Sequence, residues 1–173
     1  MSFETDGFGY LIWFQETDKN TAVAMYKLLD LRRGQIVYDL GCGDGQLLCP
    51  AGNFGLRGVG FEIDKGLAAD ATYHMERNKH PVKIINDDFG KIKYWRHLCN
   101  GQPGEVQIAD ADGILLYLET EPMAKIMPRL RRELRPGTRI VSNGFKFPDS
   151  WEPSRTMANG EVGQHDFIYL YEV

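Results

Sequence analysis

Short apolar runs alternate with amphipathic segments along most of this chain. Residues 17–31, 67–78 and 122–134 repeat apolar side chains at helical spacing, and capping residues, glycine or proline bound the first and last of these segments. The apolar runs between and after them have the length of strands. The predicted strands are 35–40, 58–62, 82–85, 113–118, 138–142 and 167–173. A short helix is expected near 46–54, and no element is predicted for 91–109.

This alternation of strands and helices predicts the fold class. Strands joined through helices pair in parallel, with right-handed crossovers. We therefore expect an α/β, Rossmann-like fold with a central, mostly parallel sheet, helices on both faces and an antiparallel strand at the C-terminal end. A chain of 173 residues fits one domain. In such sheets, ligands bind outside the carboxyl ends of the strands.

Composition and charge exclude several classes of protein. The formal net charge of −4 gives no general attraction to nucleic acid or anionic lipid, and no apolar run has the length of a membrane span. The start of the chain lacks the pattern of a signal peptide. Cys42, Cys49 and Cys99 have no CxxC spacing, which argues against a disulfide framework or a metal site. We expect a cytoplasmic protein with neither a membrane nor a nucleic acid as its partner.

The stretch VYDLGCGDGQ, at 37–46, carries the most informative motif of the chain. Gly41, Gly43 and Gly45 follow a predicted strand, and glycine lets a ligand approach the main chain closely. A dinucleotide site spaces its glycines as GxGxxG, whereas Gln46 occupies the last of those positions here. Asp39 and Asp44 flank the turn, and carboxylates repel phosphates but attract cations. The turn therefore favours a ligand that carries an ammonium and a sulfonium group.

The segment DLGCGDG resembles the first motif of class I S-adenosylmethionine-dependent methyltransferases. Glu62, at the end of GVGFE, is similar to the acid that holds the ribose hydroxyls in that family. In the segment NDDF, Asp88 matches the acceptor of the adenine amino group, and Phe89 matches the residue that packs on the ring. The resemblance implies S-adenosylmethionine as cofactor and S-adenosylhomocysteine as product. The cofactor-binding residues that it implies are Asp39, Gly41, Cys42, Gly43, Gly45, Glu62, Asp88 and Phe89.

A narrower resemblance extends over most of the chain from residue 34 onward. YDLGCGDG, VGFEID, LLYLET, LRRELRPGTRIVSNGF and IYLYEV are similar to small archaeal and bacterial protein lysine methyltransferases, which are related to Dot1, and to mitochondrial lysine methyltransferases. The resemblance implies methyl transfer to an accessible lysine of a protein partner. It also implies a single methyltransferase domain over 1–173, in which 1–33 form an N-terminal helical segment and 34–173 form the cofactor-binding core.

The acceptor site is expected after the fourth predicted strand, in the segment LLYLET. Tyr117 is the candidate for lining the site or orienting the acceptor, since it lies where this fold positions the methyl acceptor. Trp13 and Phe14 are candidates for covering the site, and Thr17 aligns with a threonine near the family's first helix. No (N/D)PP(Y/F) motif follows that strand, which disfavours transfer to planar amino groups.

Other interpretations of these residues stay open. The same fold occurs in small-molecule N- or O-methyltransferases, and a module that binds the cofactor without turnover is a further alternative. The arginines at 129, 131, 132, 135 and 139 suit an RNA backbone, although a solvated helix face has the same appearance. His165 is interpreted as a packing or surface residue, with a catalytic role as the alternative.

Overall fold

The computed structural model describes residues 17–90, 95–99, 102–159 and 165–173. Trp13 and Phe14, predicted to cover the site, lie outside these residues. The helices are α1 (Lys19–Leu29), α2 (Lys65–Arg77) and α3 (Thr120–Glu133), with 3₁₀ helices at Gln46–Gly52 and Ile108–Asp110. The strands are β1 (Ile36–Leu40), β2 (Arg57–Glu62), β3 (Val82–Asn86), β4 (Trp95–Cys99), β5 (Gln102–Val106), β6 (Gly113–Leu116), β7 (Arg139–Asn143), β8 (Arg155–Ala158) and β9 (Phe167–Glu172).

Seven strands form one mixed sheet in the order β3-β2-β1-β6-β7-β9-β8. The first five of these strands pair in parallel, whereas β9 is antiparallel to both β7 and β8. The α/β, mostly parallel sheet with an antiparallel C-terminal strand is therefore confirmed. The polar, largely exposed β8 was not predicted. In the insert, β4 and β5 form a separate antiparallel pair.

Alternating side chains along each central strand serve two cores. In β1, Val37 faces the core that α1, α2 and the first 3₁₀ helix cover, whereas Tyr38 and Leu40 face the core beneath α3. Both faces of the parallel strands are thus buried, which explains why these strands appear as continuous apolar runs. Within the described residues, no helix is both long and apolar enough to cross a membrane.

Helix α1 begins at a well-formed cap. The Asp18 carboxylate accepts hydrogen bonds from the amides of Asn20 and Thr21, both at 3.0 Å. Such a cap satisfies amides that have no partner within the helix. Asp30 ends the helix in a left-handed conformation, so α1 is shorter than the predicted 17–31. This cap lies near the carboxyl edge of the sheet, beside the predicted acceptor site.

Candidate functional site

The glycine turn follows β1 at the carboxyl edge of the sheet. Gly41, Gly43 and Gly45 have φ values of 84°, 54° and 85°, which side chains rarely tolerate. A Cβ atom on Gly41 would lie 3.2 Å from the Leu118 side chain and 3.8 Å from the Phe89 ring. The turn therefore needs glycine for its backbone angles as well as for space.

Glu62 connects this turn to the end of β2. Its side chain is buried, with Oε2 accepting from the Gly43 amide at 2.7 Å and Oε1 from the Asp64 amide at 2.9 Å. Burial raises the pKa of Glu62, although these backbone hydrogen bonds oppose the shift. Each carboxylate oxygen has a second lone pair, so both can still accept from a ligand hydroxyl. The residue thus has the chemistry that a ribose diol requires.

Asp39 is the deepest acid of the site. It is 1% exposed, and its Oδ2 has no hydrogen-bond partner among the described residues. Burial raises the pKa of Asp39 well above its ordinary value, and the negative charges of Glu62 and Asp44 add to the shift. An unsatisfied buried carboxyl oxygen costs free energy that a donor or cation would recover. This oxygen fits a cationic group such as the ammonium of S-adenosylmethionine.

The third predicted motif follows β3. Asp88 is nearly buried and accepts a hydrogen bond from the Gly90 amide at 2.8 Å. The neighbouring Phe89 directs its ring toward Gly41, and its carbonyl accepts from the Arg129 guanidinium. The structure therefore brings Phe89 beside the glycine turn, as a residue that packs on a bound ring must be.

Cys42 has a different surrounding from the other predicted residues. A Cβ atom on Gly60 would lie 2.6 Å from the Cys42 sulfur, so the thiol packs against the β2 backbone. The Cys42 amide donates to the Phe61 carbonyl at 2.9 Å. Both groups are used within the protein, and the pKa of the thiol is raised, first by burial. Cys42 therefore shapes the turn through its backbone conformation.

Tyr117 follows β6 and faces an aromatic group from distant parts of the chain. Its hydroxyl lies 2.8 Å from His165 Nε2, and both rings pack against Phe145. The pKa of Tyr117 is raised by burial and then by the negative charge of Asp18, which brings the α1 cap close to the site. Thr17, beside that cap, is buried. Tyr117 and Thr17 thus lie in the same region of the carboxyl edge.

Sequence reasoning missed two residues of this region. His165 was interpreted as a packing or surface residue, yet it contacts Tyr117 from 48 positions away. Asn143, at the end of β7, is fully buried, and neither polar atom of its side chain has a partner within the described parts of the chain. The pairing of Leu116 with Ser142 makes Asn143 the neighbour of Tyr117 across the strands. Only the strand-end position of Asn143 could have signalled it.

The sequence profile described as "ANTKMT methyltransferase domain" matches residues 39–155. The chain belongs to this methyltransferase family. A protein-lysine N-methyltransferase from Saccharolobus islandicus (strain REY15A) is 28% identical over 159 residues, which cover 91% of each chain. A lysine N-methyltransferase of Rattus norvegicus that is named for the ATP synthase is 26% identical over 85% of this chain and 60% of its own length. The adenine nucleotide translocase lysine N-methyltransferase of Mus musculus is 27% identical over 84% and 56%, respectively.

A solved structure supports the assignment of the cofactor. The RNA methyltransferase from Salinibacter ruber, in complex with S-adenosylhomocysteine, has a TM-score of 0.77 and 28% identity over 92% of this chain and 94% of its own. The predictions of a Rossmann-like class I fold and of S-adenosylmethionine as cofactor are confirmed. This methyltransferase has no group of three His, Cys, Asp or Glu side chains suited to a metal ion within the residues described.

Proposed function

We propose that this methyltransferase transfers methyl groups from S-adenosylmethionine to lysine side chains of a protein partner. The similarity to the archaeal protein-lysine N-methyltransferase carries the proposal, because it extends over 91% of both chains. The two rodent relatives also act on lysine by their names, although this chain spans only 60% and 56% of their lengths. The single-domain organisation over 1–173 is part of the proposal.

The predicted cofactor residues divide by chemistry. The Asp39 carboxylate holds the ammonium group, because its Oδ2 is buried and lacks a partner among the described residues. Glu62 holds the ribose hydroxyls, while Asp88 and Phe89 contact adenine. Gly41, Cys42, Gly43 and Gly45 supply the close backbone. These assignments agree with the contacts that already join Gly43 to Glu62 and bring Phe89 to Gly41.

Methyl transfer from a sulfonium is an in-line displacement, so the position of the acceptor nitrogen dominates the rate. The bound cofactor supplies the electrophilic methyl group. A lysine ammonium has an unperturbed pKa near ~10.4 and must lose a proton before it attacks. The half-buried aromatic group of Tyr117, Phe145 and His165 disfavours the charged form by desolvation, which lowers the pKa of the substrate amine. Tyr117 orients that amine through its hydroxyl.

RNA is the second candidate acceptor, because the Salinibacter relative is named an RNA methyltransferase. The basic side chains of this chain do not favour that acceptor. Arg135 pairs with Asp112, and Arg139 pairs with Asp30 and Glu172. Both arginines precede or begin β7, at the opposite edge of the sheet from the glycine turn. Acidic residues surround the site itself: Asp18, Asp44, Asp64, Asp87, Glu119 and Asp166. This charge distribution suits a cationic lysine segment better than a phosphate backbone.

The proposal also includes the compartment. Cys42 and Cys49 are free thiols, which agrees with a reducing cytoplasm. A small-molecule acceptor and an inactive binding module remain the alternatives, and the same experiment separates them from the proposal.

The test uses the purified protein, a proteome depleted of small molecules, and S-adenosylmethionine with a labelled methyl group. We expect label in protein bands, and mass spectrometry should locate it on lysine. A Gly43→Trp variant serves as the control, because a bulky residue in the turn blocks cofactor binding. Parallel reactions with RNA and with a metabolite extract provide the alternatives. Label found only in RNA or in metabolites, or tight cofactor binding without transfer to any acceptor, would contradict the proposal.

A further inference from the structure

We infer that His165 is a positioning residue that fixes the direction of the Tyr117 hydroxyl toward the acceptor amine. The inference rests on the proposed function, because it assigns a role in binding a lysine amine. His165 does not itself contact the reacting atoms in this proposal. It acts through the 2.8 Å hydrogen bond between its Nε2 and the Tyr117 hydroxyl.

The surroundings of His165 hold its ring in one orientation. The ring packs edge-to-face on Tyr117 and on Phe145, with centroid distances of 5.4 Å and 5.2 Å. On its other side is Gly144, where a Cβ atom would lie 2.8 Å from Nδ1 and 2.7 Å from Cδ2. Gly144 also has a φ of 75°. No other residue type fits this backbone position without displacing the imidazole, so the chain leaves room there for the ring.

The direction of the hydroxyl matters because a tyrosine hydroxyl has one proton and two lone pairs. A freely rotating hydroxyl can donate to the lone pair of a neutral amine, and that lone pair is the nucleophile. When the hydroxyl donates to Nε2 of His165 instead, its oxygen faces the amine only as an acceptor. It then binds an N–H of the amine and leaves the nitrogen lone pair to point at the methyl group. The gain is one of orientation, which in-line displacement rewards.

The electrostatic surroundings agree with a neutral hydroxyl in this role. Burial raises the pKa of Tyr117, and the negative charge of Asp18 raises it further. The phenol therefore keeps its proton near neutral pH and can donate it to His165. A tyrosinate acting as a base would need the opposite shift. The group thus orients the amine, and proton removal from the lysine ammonium falls to the solvent before attack.

Three variants separate positioning from packing. His165→Leu removes the acceptor, and we expect kcat to fall about tenfold, the scale of one hydrogen bond. His165→Gln offers an amide oxygen near the position of Nε2, so it should recover most of that loss. His80→Leu makes the same change at a half-buried histidine on the opposite edge of the sheet, and should leave kcat as it is. Cofactor affinity, measured by calorimetry, should be equal in all three variants.

A double-mutant cycle gives the deciding readout. Tyr117→Phe removes the same hydrogen bond from its other end, so adding His165→Leu to Tyr117→Phe should cost less than about twofold more. Multiplicative losses would overturn the inference, as would a Gln variant no better than Leu or a loss of cofactor affinity. The assay uses a lysine substrate from the labelling experiment. If lysine is labelled but the cycle is multiplicative, only the role of His165 fails. If no lysine is labelled, the proposed function fails first.

Discussion

The cofactor side and the acceptor side of the site are built in different ways. On the cofactor side, backbone amides and carboxylates from short contiguous motifs meet, as in the bond from the Gly43 amide to Glu62. On the acceptor side, side chains from remote segments meet, as in the contact between Tyr117 and His165. A cofactor common to many enzymes can be bound by a fixed backbone shape. An acceptor specific to one enzyme needs side chains that differ between relatives.

The comparison is tested most strongly at the glycine turn. Gly41→Val adds a side chain where a Cβ atom already lies 3.2 Å from Leu118, at a φ of 84°. We expect cofactor affinity to fall at least about 100-fold, since strain of this kind alone costs roughly 1–3 kcal/mol and the side chain enters the ligand's space. Calorimetry with S-adenosylhomocysteine measures the loss.

Gly137→Val is the matched control for this change. Gly137 has a φ of 87°, and a Cβ atom there would meet nothing within 4 Å. The two variants therefore carry the same backbone strain, and only one fills the site. Equal affinities in the two variants would show that the turn does not contact the cofactor.

The second prediction asks whether the geometry of the Glu62 hydrogen bonds, and not only its charge, holds the cofactor side together. Both carboxylate oxygens accept from backbone amides, those of Gly43 and Asp64. In Glu62→Gln the amide nitrogen must face one of these N–H groups. We therefore expect Gln to lose as much as Ala, about 10- to 100-fold in cofactor affinity, from the usual ~1.5–3 kcal/mol of a charged hydrogen bond. Affinity retained by Gln, measured in the same titration, would mean that the ribose is held elsewhere.

These two predictions concern the part of the molecule that the sequence describes best. The turn, Glu62 and Phe89 each follow an apolar strand within a few residues, and parallel strands bring such strand ends to one edge. His165 and Asn143 have no such local signal, because their positions depend on how β7 and β9 pair. The exposed β8 was missed for a related reason, since its burial pattern lacks a regular apolar side. Local patterns thus reveal contiguous motifs and miss contacts that tertiary pairing creates.

The third prediction sharpens the comparison through pH. The folded pKa of Asp39 is raised well above its ordinary value of 3.8, first by burial and then by Glu62 and Asp44. Between that ordinary value and the raised one, the folded protein binds more protons than the unfolded chain. The free energy of unfolding therefore falls as pH rises through this window. Asp39→Asn removes the titration, so the cofactor-free variant should be more stable than the wild type near neutral pH.

Thermal melts across pH measure that difference, which should vanish as pH falls below the ordinary value of the carboxyl. The same variant should bind S-adenosylhomocysteine about tenfold more weakly at neutral pH, because the ammonium loses its counter-charge. Asp70→Asn, on an exposed position of α2, provides the control. A variant that gains no stability, or that binds the cofactor as well as the wild type, would remove Asp39 from the site.

The smallest expected effect lies at the α1 cap, and it separates the two sides of the site. Asp18 caps the helix and also places a negative charge near Tyr117. Asp18→Asn keeps a capping oxygen without the charge, whereas Asp18→Ala loses both. Loss of the cap should lower the free energy of unfolding by about 1 kcal/mol in Ala only. Both variants should raise KM for a cationic lysine substrate while cofactor affinity holds. A change in cofactor affinity would mean that the two sides are coupled through α1, and that the division between them is too sharp.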